Sequence, residues 1–192
     1  QLASVNSKPI SAIIPARALT ELARIAMDGD NVISMAVPPG RGQVLFHMKD
    51  AELVSQLIEG NFPDYKVIIP RNSKTRTILS TAGFLKACKQ AEIIARESNN
   101  VVRLNILAKA EGPGEVELTA QSEEVGTGEA RVDATIEGPN LIIAFNVRFL
   151  REVLDVVKSP NVILETNANN NPALLKPAGD ESFIHVIMPM HL

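Results

Sequence analysis

Residues 75–109 read TRTILSTAGFLKACKQAEIIARESNNVVRLNILAK, and the hydrophobic pattern changes twice along them. Residues 75–80 alternate as a strand, with Thr81 placed to cap the next segment. Residues 82–97 carry helical spacing, and 101–109 alternate again. Gly112-Pro113-Gly114 is a turn, and strands are predicted at 115–121 and 130–137. The unit is β-α-β-β-β.

Working outward, the same order recurs on both sides. Upstream, a strand is predicted at 11–15 and a helix at 16–27, ended by Asp28-Gly29-Asp30. Strands follow at 31–37, 43–48 and 51–58, the first pair joined through Pro38-Pro39-Gly40-Arg41-Gly42. Downstream, Gly138-Pro139-Asn140 precedes a strand at 141–145. Asn146 is placed as cap of a helix at 147–158, and strands follow at 161–166, 172–176 and 183–188. The pattern therefore occurs three times in 192 residues, an α+β arrangement of antiparallel strands.

One such unit has too little core to stand alone, whereas two close a domain of about 120 residues. Copies two and three are expected to form one complete domain, residues 72–192. Copy one, within residues 1–71, reads as half of another. The chain begins with Gln1 inside an alternating run, so a fragment of a longer protein is expected.

Residues 57–70, LIEGNFPDYKVIIP, join the two parts. Phe62, Tyr65 and the run Val67-Ile68-Ile69 are more apolar than a surface linker needs. They fit either a strand packed at a domain junction or a junction that also builds a binding site.

Composition narrows the function. Net charge is −3 and hydrophobic residues make up 45%, ordinary for a globular protein. No apolar run approaches the roughly 20 residues of a membrane-spanning helix. Cys88 stands alone, which excludes an internal disulfide and points to a cytosolic setting. Aromatic content of 4% with no Trp does not supply stacking platforms for single strands. The acidic balance argues against a whole-surface nucleic-acid binder.

Charge is nonetheless sorted by element. The three helices carry +1, +2 and +1, which leaves −7 for the strands and loops. Arg17, Thr20, Glu21 and Arg24 form a polar stripe on the first helix. Lys86, Lys89, Gln90 and Arg96 do so on the second, and Arg148, Arg151, Glu152, Asp155 and Lys158 on the third. These are either ordinary solvated faces or a weakly basic lining for a polyanion. Ile93 interrupts the second stripe beside Ile94, and such a pair at a helix end also suits a subunit contact.

Catalytic chemistry is not supplied. His47, His185 and His191 lack metal-ligand spacing, and no cofactor motif is present. The glycine turns lead into strands rather than helices, so they are hairpins and not phosphate cradles. Cys88 reads as a packed thiol. Asp64 beside Tyr65 lacks a third group.

Two stretches carry a family resemblance. LIEGNFPDYKVIIP at 57–70 and FIHVIMPMHL at 183–192 resemble the β sliding clamp, the processivity subunit of bacterial DNA polymerase III. SAIIPARALTEL at 11–22, VVRLNI at 101–106 and AFNVRFLREVL at 144–154 extend the likeness along the whole chain. The resemblance implies the second half of a middle domain followed by a complete third domain. It also implies a non-catalytic role in which two subunits close head-to-tail into a ring around duplex DNA. Helices would line the hole, which makes Arg17, Arg24, Lys86, Lys89, Arg96, Arg148, Arg151 and Lys158 the expected DNA-facing cations. Only that lining has to be positive, which reconciles the net charge with DNA.

The family has a pocket between its middle and last domains. Polymerase, clamp loader and repair proteins insert short motifs there that carry glutamine, leucine and phenylalanine. Matching positions are Leu2, Pro63, Val67, Ile68, Asn146, Phe149, Asn170, Pro172, Val186, Met188, Pro189, Met190, His191 and Leu192. Val67 and His191 depart from the arginine many members carry, and Asn99 from an aromatic. The implied subunit contact uses Ile93, Ile94, Glu123, Glu124 and Glu129. Its partner surface lies in a first domain outside this chain, so a monomeric fragment of a homodimeric protein is expected. A protein-interaction scaffold that does not encircle DNA is the competing reading.

Overall fold

The strand Thr75–Ser80 (β4) sits near the middle of an eight-stranded antiparallel sheet and sets the frame of the larger part of the chain. The computed structural model describes residues 10–26, 32–62 and 64–191. The chain divides into two compact units, Gln1–Pro63 and Asp64–Leu192.

In the first unit, α1 (Ala16–Ile25) precedes β1 (Ser34–Ala36), β2 (Gln43–His47) and β3 (Glu52–Gln56). The strands form one antiparallel sheet in that order. Gly40 and Gly42 take φ of +75° and +59° in the β1–β2 connection, the left-handed region that glycine enters without a Cβ clash. Val44, Phe46 and Met48 are buried. The strand expected at 11–15 does not form. Ile58 donates one backbone hydrogen bond to Ile13 O at 2.9 Å, and Pro15, with no N–H, stops a ladder there and leads into α1. Residues 28–30, expected to end the helix, lie outside the described residues.

In the second unit, residues 65–67 differ from the strand reading. They form a 3-10 turn, Tyr65–Val67, because the Asp64 carboxylate accepts the Lys66 N–H at 3.1 Å. That local bond offers the backbone an alternative to a ladder. The unit continues as α2 (Thr81–Ala95), β5 (Val101–Leu107), β6 (Gly114–Ser122), β7 (Gly126–Glu137) and β8 (Leu141–Asn146). Then come α3 (Val147–Val156), β9 (Asn161–Thr166), β10 (Ala173–Pro177) and β11 (His185–Ile187).

The cap of α2 is Ser80 and not Thr81. Ser80 Oγ accepts the Gly83 N–H at 3.3 Å, whereas the buried Thr81 hydroxyl donates to Ser159 O at 2.7 Å. Asn146 caps α3 as expected, accepting the Arg148 N–H at 3.0 Å. Asn99 and Asn100 take φ of 56° and 58° after α2, a conformation asparagine tolerates better than most residues.

Strand order is β11-β10-β9-β4-β7-β6-β5-β8. The two repeats of this unit exchange strands: β4 pairs with β9 and β8 pairs with β5. Phe84, Ala87, Cys88 and Ala91 of α2 join Leu150, Val153 and Leu154 of α3 over buried strand residues such as Leu104, Leu118, Ile143 and Leu164. Both helices thus keep their polar stripes outward.

Candidate nucleic-acid interface and docking surface

The alternation of small apolar and charged positions on α2 buries one face and exposes Lys86, Lys89 and Arg96. On α3, Arg148 is exposed and Arg151 half-buried, and Lys158 is exposed just past the helix end. Arg17 and Arg24 are exposed on α1, in the other unit. Several of these cations are already paired. Arg24 Nε lies 3.0 Å from both Glu21 carboxylate oxygens. Arg148 reaches Glu152 at 4.0 Å. Arg151 lies 3.0 Å from Glu92 across the helix gap and 3.1 Å from Asp155 on its own helix, and Lys89 of α2 meets Asp155 at 3.3 Å. Arg17, Lys86, Arg96 and Lys158 have no ion pair among the described residues.

Apolar side chains are also exposed elsewhere in the second unit. β8 ends in Asn146, and Phe149, one turn into α3, is 52% exposed. Met190 donates its backbone N–H to Ala144 O at 2.8 Å, which brings the chain after β11 alongside β8. β10 pairs Ala173 with Ile187, so Pro172 stands one step beyond that pair, opposite Met188. Met188 is exposed, and Val186, Pro189 and Met190 are half-buried. Asn170 is exposed in the β9–β10 turn, and Val67 and Ile68 are exposed on the 3-10 turn. Exposed His191 lines a hollow of about 240 Å³ with Ser98, Val101, Arg103, Thr119 and Gln121. Leu2, Pro63 and Leu192 lie outside the described residues.

The third group of sequence-selected residues separates. Ile93 is 67% exposed, whereas Ile94 packs on the core beside Gly128. Glu123 and Glu124, at the β6–β7 connection, line an open hollow with Glu97, Ser98 and Gln121. Glu129 accepts Arg131 Nε at 2.7 Å. Burial pushes the Cys88 thiol up to about 12. No cluster of three or more His, Cys, Asp or Glu suited to a metal occurs among the described residues.

The sequence profile of the DNA polymerase III beta subunit, C-terminal domain, matches residues 66–191, and that of the central domain matches residues 1–64. The chain belongs to the DNA polymerase III beta subunit family.

Beta sliding clamps of this family include that of Bacillus subtilis (strain 168). It is 33% identical over 187 residues, covering 96% of this chain and 48% of the relative. The Staphylococcus aureus (strain N315) clamp is 33% identical over 179 residues, 93% of this chain and 46% of that one. Among solved structures, the Bacillus subtilis sliding clamp superposes with a TM-score of 0.80 at 33% identity, over 94% of this chain and 47% of that one. The Streptococcus pneumoniae TIGR4 beta chain does so with 0.84 at 26% identity, over 98% and 49%. The chain spans about half the length of the curated relatives it matches. Within this clamp-family fold, the residue that sequence reasoning missed is Glu92. It is spaced like any surface acid on α2, and its partner Arg151 comes from a helix far away in sequence.

Proposed function

We propose that this chain works as part of a sliding clamp, the processivity factor of a bacterial replicative DNA polymerase. Residues 1–71 are the C-terminal half of a middle clamp domain, and residues 72–192 are a complete C-terminal domain. Two full-length subunits close a ring on duplex DNA, without reading its sequence and without catalysing a reaction. The setting is cytoplasmic, at the nucleoid.

The observation that carries this reading is the outward basic face shared by α2 and α3 on a chain of net charge −3. Phosphate contacts from such a face are loose and salt-sensitive, which lets a ring slide. Lys86, Lys89, Arg96, Arg148, Arg151 and Lys158 face DNA, and Arg17 and Arg24 on α1 have the same role. Tethering then raises the effective concentration of polymerase at the template.

Phe149, Pro172, Val186, Met188, Pro189 and Met190 hold short peptides from polymerase, clamp loader and repair proteins, with Asn146, Asn170, Val67, Ile68 and His191 around them. Methionine repacks cheaply, which suits several related peptides. Ile93, Glu123, Glu124 and Glu129 meet the neighbouring subunit, while Ile94 turns to the core beside Gly128. The test uses the full-length subunit on linear duplex DNA. Retention while both ends are blocked, and loss when one end is freed, is the expected result. Peptide binding without retention would leave only a scaffold.

A further inference from the structure

Two of the proposed DNA-facing cations, Lys89 and Arg151, share one carboxylate partner, Asp155. Lys89 Nζ lies 3.3 Å from one oxygen of Asp155, and Arg151 lies 3.1 Å from the other. Arg151 also reaches Glu92 at 3.0 Å. The environments of the two acids differ. The Glu92 side chain is 15% exposed and sits in the α2–α3 seam, whereas that of Asp155 is 37% exposed on the outer face. Lys89 itself is 53% exposed. Glu92 is therefore the more buried partner, in charge contact with Arg151 Nε without a hydrogen bond to it, and Asp155 sits where an approaching phosphate has to compete.

We propose that Asp155 is an internal competitor for DNA phosphate: it occupies Lys89 and Arg151 in the free chain and keeps the grip on the duplex weak. The proposal rests on the α2–α3 face being the DNA-facing one and adds how that face is regulated. An exposed ion pair is nearly balanced against hydration. A phosphate oxygen can therefore replace the Asp155 carboxylate on Lys89 at little cost, and the carboxylate can take Lys89 back when the duplex moves on. Each exchange keeps the cation partnered, so the DNA contact is transient. Arg151, still held by Glu92, stays in place throughout.

The experiment compares the chain with Asp155→Asn, Asp155→Asn/Lys89→Gln and the charge-matched control Glu137→Gln, whose carboxylate pairs with Arg76 on the sheet. Binding to a short duplex is followed by fluorescence anisotropy across a salt series. Asp155→Asn is expected to bind about fivefold more tightly at low salt. The slope of log affinity against log salt should steepen by about 0.9, as for one added phosphate contact. The double variant should lose that gain, and Glu137→Gln should match the parent. Parent-like affinity and slope for Asp155→Asn, where the parent itself binds, overturn the proposal and leave the DNA-facing assignment standing. No binding by any of the four at low salt overturns both.

Discussion

The backbone N–H of Met190 bonds to the carbonyl oxygen of Ala144 at 2.8 Å, and this contact joins the two ends of the eight-stranded sheet. β11 lies at one end and β8 at the other, and Met190 follows β11 by three residues. Within the first repeat of the unit, β4 pairs with β7, its own last strand. The Ala144–Met190 bridge is the remnant of the equivalent pairing in the second repeat. The tail segment therefore has a backbone role beside the docking role proposed for its side chains.

That double role separates two variants. Met188→Ala removes an exposed side chain and is expected to weaken a clamp-binding peptide by about 1–2 kcal/mol while leaving the unfolding midpoint near that of the parent. Deleting residues 190–192 should lower both, because it also removes the bond to Ala144. Calorimetry with the peptide and urea unfolding separate the effects. Unchanged peptide affinity for both variants would sink the docking assignment.

The start of α2 makes a second prediction. Ser80→Ala should cost about 1 kcal/mol through the lost cap on Gly83. Thr81→Val keeps the shape and loses only the hydroxyl bond to Ser159, at about 0.5–1.5 kcal/mol. The two residues act through different bonds, so the double variant should show near-additive losses in denaturant unfolding. A Thr81→Val cost that disappears in the Ser80→Ala background would mean they share one function.

Acid stability depends on His185. Burial pushes its pKa below the usual 6.5, and the nearby Glu152 opposes that shift only in part. Between the folded and unfolded values the unfolded chain holds more protons, so this contribution is intact above 6.5 and is lost as pH falls through the folded pKa. Unfolding midpoints across the mildly acidic range should fall less steeply for His185→Gln than for the parent. Parallel curves would show that His185 does not titrate in this way.

Cys88 gives a simple probe of the core. With its thiol pushed up to about 12 and its side chain fully buried, it should resist a thiol reagent at neutral pH and react at once in denaturant. Reaction of the folded chain at the rate of a free thiol would contradict the packing of α2.

Much of this architecture is visible in the residues. The helices at 16–27, 82–97 and 147–158 stand out because Leu, Ala and Val recur at helical spacing between Gly, Pro and Asn punctuation. Two strand readings fail where local chemistry overrides β propensity, the strand at 11–15 and the strand alternative for 57–70: Pro15 withholds a donor, and Asp64 caps a turn. The cationic stripes are legible for the same reason as the helices. Their pairing is not, because Glu92 and Arg151 meet only when α2 lies against α3. Nor does PMHL at 189–192 reveal that Met190 forms a bridge, since that depends on sheet register and not on side-chain pattern.

Encirclement is the central claim, and linearising loaded DNA tests it most directly. Full-length subunits carrying these residues are loaded onto a nicked circle, washed with high salt to remove phosphate-held protein, and then the circle is cut. Retention through the salt wash and rapid loss after the cut is the predicted result. Loss in the salt wash, or retention after the cut, would contradict a topological hold on DNA.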